Sequence, residues 1–165
     1  MGFNRGEGDK RLRLYKPALE DLDYRRSLLA DPNTMSYNEK WGGAIDFPEK
    51  NWEPWYKSWV SADESQRYYR YLYAEDSQCF VGEAAYHYDA ACQAHMVNLL
   101  VEARYRGRGY GNEGLLLLMK AAKENGIARL CDDIAVDNPS ISLFLRVGFT
   151  EVWRNDACIR VELVL

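Results

Sequence analysis

Three runs rich in tyrosine and valine occupy the middle of this chain: RYYRYLYAE at 67–75, CFVGEAAYHYD at 79–89 and AHMVNLLVEA at 94–103. Aromatic and β-branched residues at this density suit strands. The joints between the runs, residues 76–78 and 90–93, are far too short for the crossover of a dozen or more residues that parallel neighbours need. The runs therefore predict an antiparallel meander. A fold made only of alternating strands and helices does not accommodate one.

The flanking segments supply helices and further strands. RLRLYK at 11–16 alternates like a strand, and from Pro17 a helical pattern carries Leu19, Leu22, Leu28 and Leu29 as far as Pro32. Residues 31–47 are rich in turn formers. In NWEPWYKSWV, Trp52, Trp55 and Trp59 share one helical face, a stripe that is core by default, and Pro54 is admissible only in the first turn. Beyond the meander, LLLLMKAAKENG predicts a helix that Gly126 terminates. ARLCDDIAV at 128–136 reads as a strand. NPSISLFLRVGF reads as a helix with Asn138 as N-cap and Pro139 in the first position, ending at Gly148. TEVWR and ACIRVELVL close the chain as two strands around an Asn155-Asp156 turn.

The order is β-α-α-β-β-β-α-β-α-β-β. It predicts an α/β (mixed α+β) fold whose sheet of six or seven strands is mainly antiparallel, with one right-handed parallel β-α-β crossover. A length of 165 residues suits one domain, read here as 11–165 after a short N-terminal tail at 1–10.

The crossover begins with RYRGRGYGNEG at 104–114, which packs four glycines and three arginines in front of an apolar helix. Gly109 to Gly114 spells G-x-G-x-x-G, with Asp132 and Asp133 about twenty residues on, as dinucleotide folds have. Only roughly 50 residues follow the loop, however, too few for the parallel sheet of that fold. The G-x-x-x-x-G-K-[ST] phosphate loop is absent too. What remains is a helix start with free N–H groups and a partial positive charge, approached through glycines and flanked by Arg106 and Arg108. A pyrophosphate suits such a place, whereas a purely structural turn would leave the arginines merely solvated.

Arg106-Gly107-Arg108-Gly109-Tyr110-Gly111 resembles the R/Q-x-x-G-x-G/A signature of the GNAT superfamily of N-acetyltransferases. Val101-Glu102-Ala103 is similar to the V-x-P that precedes it there, with alanine replacing proline, and Gly148-Phe149 after an Asn-Pro helix resembles a second signature. The likeness runs over nearly the whole of 11–165. It implies a strongly twisted sheet with helices on both faces, and acetyl-CoA as acyl donor. It further implies a pyrophosphate on Arg106, Gly107, Arg108, Gly109, Tyr110 and Gly111, a pantetheine arm pairing strand-like with Leu99, Leu100 and Val101, and further contacts at Asn138, Ser140 and Phe144. A backbone N–H near Leu100 would meet the developing oxyanion. Similar enzymes often carry a tyrosine that protonates the leaving thiolate where this chain has Phe144, four residues before Gly148.

Acetyl transfer to an amine also needs a proton acceptor. The candidates are Glu83, set among Val81-Gly82 and Ala84-Ala85 where an apolar setting raises a carboxyl pKa, then His87, Asn98 acting through a water, and Glu113 beside the loop. Each has an ordinary alternative: Glu83 on a solvated strand face, His87 as packing. Asp46, Glu49 and Glu53 would suit a cationic acceptor, and a solvated face explains them equally.

A net charge of −4 excludes general nucleic-acid binding, which needs a basic face. The opening MGFNRGEGDK lacks the apolar core of a signal peptide and has glycine where a myristoylation motif needs Ser or Thr, and no window is long and apolar enough for a membrane span. Cys79, Cys92, Cys131 and Cys158 are too scattered for a zinc site or a disulfide framework, which points to no metal and a reducing cytoplasm. The leading reading is an acetyl-CoA-dependent N-acetyltransferase of a small-molecule amine. A protein or peptide N-acetyltransferase and a non-catalytic acyl-CoA-binding module are the alternatives. ACIRVELVL leaves a homodimer through strand pairing open.

Overall fold

A computed structural model describes residues 11–165, so the segment read as a tail, 1–10, lies outside the described residues. Seven strands form one sheet in the order β1-β2-β3-β4-β5-β7-β6. They are β1 (Leu12–Tyr15), β2 (Arg67–Ala74), β3 (Cys79–Asp89), β4 (Ala94–Val101), β5 (Arg129–Ala135), β6 (Thr150–Arg154) and β7 (Cys158–Val164). Every neighbouring pair is antiparallel except β4 and β5. The meander read from the tyrosine-rich runs is β2-β3-β4, and the glycine loop opens the one parallel crossover.

Strand alternation sorts the side chains onto two faces. On one, Tyr68, Leu72, Ala84, Tyr86, Val97, Leu130 and Ile134 pack with Leu115, Leu118 and Ala122 of α3 (Tyr110–Glu124) and Phe144 of α4 (Ser140–Arg146). On the other, Tyr69, Tyr71 and Ala85 meet α1 (Leu22–Ala30) and α2 (Trp52–Trp59), through Tyr24, Trp55, Tyr56 and Trp59. Helices therefore cover both faces. Burying each leucine side chain in such a core contributes about 1.5–3 kcal/mol, ample for a sheet this size to hold its helices.

The helix boundaries follow local chemistry. A 3-10 turn (Leu19–Asp21) leads into α1, which stops before Pro32. Pro54 sits in the first turn of α2, where its missing N–H costs nothing. Gly126, at φ 78°, ends α3 as a left-handed residue. Asn138 accepts the Ser140 N–H on its Oδ1 at 2.9 Å and so caps α4, one residue ahead of the helical turn. The turn-rich segment turns out to hold a 3-10 helix, Thr34–Trp41, which becomes one wall of the site.

Two details open the sheet where the site lies. The β4–β5 pairing comprises His95 with Leu130 and Met96 with Cys131, and beyond that rung the strands separate. At the far end of β3, a Cβ on Gly82 would lie 2.1 Å from the Leu100 carbonyl oxygen. Only glycine lets β4 come this close, an approach an isolated glycine in a strand often marks.

Candidate active site

Two clefts open from the parting of β4 and β5. The first, about 470 Å³, runs between the end of β4, the loop before α3 and the start of α4. Its floor is backbone. The N–H groups of the six residues from Gly107 to Asn112 have no hydrogen-bond acceptor among the described residues, whereas Arg106 and Glu113 on either side have one. Gly107 and Gly109 take φ of 78° and 85°, left-handed values that turn successive N–H groups outward. With the start of a 15-residue helix behind them, they form a concave site for an anion.

The loop is held from outside. Arg11 donates to the Arg108 carbonyl at 2.8 Å and lies over the Tyr110 ring, while Glu113 accepts the Leu12 N–H at 2.8 Å. The Tyr110 hydroxyl donates to Asp76 at 2.8 Å. Arg106 donates to the carbonyls of Val101, Asn33 and Thr34 at 3.1, 3.3 and 2.6 Å, clamping the loop to the 3-10 helix.

The second cleft, about 350 Å³, lies on the α1/α2 face and is built from side chains. Trp41, Trp55, Trp59 and Tyr69 wall it, with Arg25, Glu83, Asn98 and Asp132 as its polar members. Glu83 is buried, and its Oε2 accepts from Arg25 at 2.7 Å and from the Tyr69 hydroxyl. Its Oε1 has no partner among the described residues. The Arg25 guanidinium stacks 4.2 Å above the Trp55 ring and 5.2 Å from those of Phe47 and Tyr69. Burial is the largest single influence on the Arg25 guanidinium and lowers its pKa, but the Glu83 charge, together with Tyr69 and the hydrogen bonds to both, outweighs it, so Arg25 stays charged. Burial also lifts the Tyr69 hydroxyl well above its usual value, so it remains a donor.

Asp132 stands on β5, one residue past the last β4–β5 rung, in the register of Leu130 and Ile134. Burial raises its carboxyl well above the usual range; a bond from the Asp133 N–H opposes this and the Asp133 charge adds to it. The nearby cation, Arg160, is spent on Asp133, with two contacts of 2.7 Å.

The two clefts share Tyr37, Leu99, Leu100 and Asn138. A ligand lying on the loop and along the free edge of β4 would end at the mouth of the second cleft.

A sequence model described as an acetyltransferase (GNAT) domain matches residues 11–150. The chain belongs to the GNAT acetyltransferase family. Its fold is similar to that of a GNAT-family acetyltransferase from Bacillus anthracis, at a TM-score of 0.72 and 16% identity over 93% of this chain and 95% of that one. It also resembles a spermidine N-acetyltransferase from Vibrio cholerae solved with CoA and spermine, at a TM-score of 0.73 and 16% identity, covering 94% and 96% of the two chains. A putative ribosomal-protein-serine acetyltransferase from Vibrio cholerae gives a TM-score of 0.68 and 19% identity, covering 95% of each chain. Comparison with curated protein sequences gives no match.

Within this GNAT domain, the residues expected from the sequence divide unevenly. Leu99, Leu100, Val101, Arg106, Gly107, Gly109, Tyr110, Gly111, Asn138 and Ser140 all line the first cleft. Arg108 does not: its side chain is exposed and lies 5.6 Å from the Tyr105 ring. Phe144 does not either. It is buried edge-to-face against Phe149 in the core, and its neighbour Leu143 takes the place at the cleft because α4 turns that face outward. Glu83 and Asn98 line the second cleft, and Glu83 is no solvated surface residue. His87 lies on the same sheet face behind Trp59, ring to ring at 5.5 Å, and burial keeps it neutral by lowering its pKa. Glu113 is occupied by β1. Asp46, Glu49 and Glu53 are not among the residues lining the second cleft.

Sequence reasoning missed Arg25, Tyr37, Gly82, Asp132 and Arg146, the last lining the first cleft from α4. Two had signals. Gly82 interrupts a strand, and Asp132 puts a charge in the apolar register of Leu130 and Ile134. Nothing local singles out Arg25 or Tyr37.

Among the described residues no group of three or more His, Cys, Asp or Glu side chains is placed to hold a metal. No described helix is long and apolar enough to cross a membrane.

Proposed function

We propose that this protein transfers the acetyl group of acetyl-CoA to the primary amine of a small molecule, by direct attack of the amine on the thioester. The observation that carries the reading is the meeting of the two clefts at the free edge of β4. One is an anion site made of backbone N–H groups, the other a side-chain cavity with a partnered carboxylate.

Acetyl-CoA supplies an activated acyl carbon and a thiolate leaving group. The residues of the chain fit it by their unmet hydrogen bonds. The N–H groups of Gly107 to Asn112 would bind the pyrophosphate, with Arg146 adding charge at the rim. The edge of β4 at Leu99 to Val101 would pair with the amide groups of the pantetheine arm, since β5 has moved away there. A backbone N–H at about Leu100 would stabilise the developing oxyanion.

On the acceptor side, Glu83 would take the proton of the attacking amine on Oε1, directly or through a water held by Asn98. Arg25 and Tyr69 fix the carboxylate by its other oxygen. Arg25 already occupies the faces of Trp55 and Tyr69, so we read the acceptor as a small amine without a second cationic centre against those two rings. A cytoplasmic location fits the four unpaired cysteines.

Thiol release from acetyl-CoA across a panel of small amines and short peptides tests the reading. Turnover with small amines is expected. Turnover confined to peptides would redirect it to a protein acetyltransferase, and tight CoA binding without any turnover would make the chain a binding module.

A further inference from the structure

Outside both clefts, three sulfur atoms converge where β4 and β5 last pair. Across the final parallel rung, Cys131 Sγ lies 3.0 Å from Met96 Sδ. Cys92, in the turn between β3 and β4, puts its Sγ 3.7 Å from the same Sδ and 3.9 Å from Cys131 Sγ. Cys131 is fully buried and Cys92 is partly exposed. A few contacts hold the turn: the Asp89 carboxylate accepts from the N–H groups of Ala91 and Cys92 at 2.8 and 3.4 Å, Arg129 donates to the Gln93 carbonyl at 3.2 Å, and Gln93 takes an unusual φ of 51°. Cys79 is engaged elsewhere, 3.3 Å from the Tyr105 hydroxyl.

We propose that Cys92 and Cys131 are a redox-active dithiol, forming a reversible disulfide that fastens the β3–β4 turn to β5 just below the point where the strands part. Bonding requires the sulfurs to close from 3.9 Å to about 2.05 Å. Cys92 is able to make that movement, because its turn is exposed and Met96 is an adaptable neighbour.

The oxidant is a low-molecular-weight disulfide. Cys92, the thiol such a molecule reaches, attacks one of its sulfurs as the thiolate, giving a mixed disulfide and releasing one small thiol. Cys131 then attacks Cys92 Sγ and expels the second small thiol, which carries away the Cys131 proton. Two cysteine thiols are oxidised and one small disulfide is reduced to two thiols. Burial pushes the Cys131 thiol up to about 12, the charge and hydrogen bond of Cys92 push in the same direction, and Arg160 opposes them. Capping Cys92 removes its contribution, so the first step favours the second.

The test treats the folded protein with oxidised glutathione, blocks free thiols after denaturation and maps the peptides. Free thiols should fall from four per chain to two, with residues 92 and 131 joined, and dithiothreitol should restore all four. Cys131→Ser, or Cys131→Ala should the hydroxyl disturb the core, should stop with glutathione held on Cys92. Cys92→Ser should leave Cys131 unmodified. Wild-type protein that keeps glutathione on Cys92 without closing, or that joins either cysteine to Cys79 or Cys158, overturns the proposal.

Discussion

The two clefts are built by different means. The anion cleft is made by consecutive residues, Gly107 to Asn112, whose backbone N–H groups are free to bind, while side chains such as Arg106 and Tyr110 hold the loop in place. The acceptor cleft gathers Arg25 from α1, Tyr37 from the 3-10 helix, Trp55 from α2, Tyr69 from β2, Glu83 from β3, Asn98 from β4 and Asp132 from β5. A backbone site tolerates side-chain change and fails when a dihedral is lost. A side-chain site fails one residue at a time, through charge and hydrogen bonding. Substitutions in the two clefts should therefore separate affinity from turnover.

The largest effect is expected at Glu83. Glu83→Gln keeps the shape and the hydrogen bonds to Arg25 and Tyr69 but removes the carboxylate proposed to accept the proton. It should lower kcat about 10²–10⁴-fold with little change in acetyl-CoA affinity. Because the change leaves the buried Arg25 without its counter-charge, thermal unfolding must be measured beside it. A folded variant losing less than about threefold would reduce Glu83 to a brace for Arg25 and move the search to Asn98.

The converse belongs to Gly109. Its φ of 85° is left-handed, and an added Cβ would sit 3.1 Å from the Arg11 guanidinium that anchors the loop. Gly109→Ala should cost about 1 kcal/mol of stability and weaken acetyl-CoA binding roughly tenfold, without altering the chemical step once the site is saturated. Gly126→Ala is the control, since it has φ of 78° and open space around it, far from the cleft. It should show a similar stability loss and unchanged affinity by calorimetric titration. Equal affinity in both variants would break the assignment of the loop to the pyrophosphate.

This asymmetry also explains what is legible in the sequence. A backbone anion site leaves a compact trace, glycines at fixed spacing before a helix, and the meander and the crossover each follow from local composition and joint length. The acceptor cleft leaves none, because its members lie up to about 110 residues apart and are adjacent only once the sheet forms. Glu83 was visible by its apolar neighbours, yet its partner Arg25 sits on a helix with no feature to mark it. The outward turn of the Arg108 side chain and the burial of Phe144 are hidden for the same reason. Spacing locates a residue on its element but not the way its side chain turns.

A smaller effect is expected from Asp132. Its carboxyl pKa is raised in the folded protein by burial, so between the ordinary carboxylate value, about 3.9, and the raised one the folded state binds more protons than the unfolded. The stability associated with the neutral form is complete below the ordinary value and is lost as pH rises through the folded one. Asp132→Asn, which is neutral throughout, should be the more stable protein at neutral pH, and the difference should vanish on acidification below pH ~3.9. Denaturant melts of both proteins across that range check the sign. A wild type that gains stability relative to Asp132→Asn as pH rises would mean that the carboxylate has found a cation.

The smallest change in turnover should come from Phe144, where the two-cleft comparison is sharpest, because this residue belongs to neither. It lies in the core against Phe149 and has no proton to give. An ordinary thiol has a pKa of about 8.5, so in the proposed reaction the thiolate leaves readily and takes its proton from water, from the attacking ammonium or from a tyrosine elsewhere. Phe144→Leu should therefore leave kcat within about twofold while lowering stability by about 1 kcal/mol, the usual cost of a near-isosteric core exchange. Phe144→Tyr, rather than restoring an acid, should bury a hydroxyl among Phe149 and its apolar neighbours, destabilise the fold by about 1–3 kcal/mol and leave kcat unimproved. Rates at saturating acetyl-CoA, read beside thermal melts, decide it. A clear gain in kcat for Phe144→Tyr would mean that the ring swings out of the core into the cleft during turnover, and that the departing thiolate does use a proton from α4.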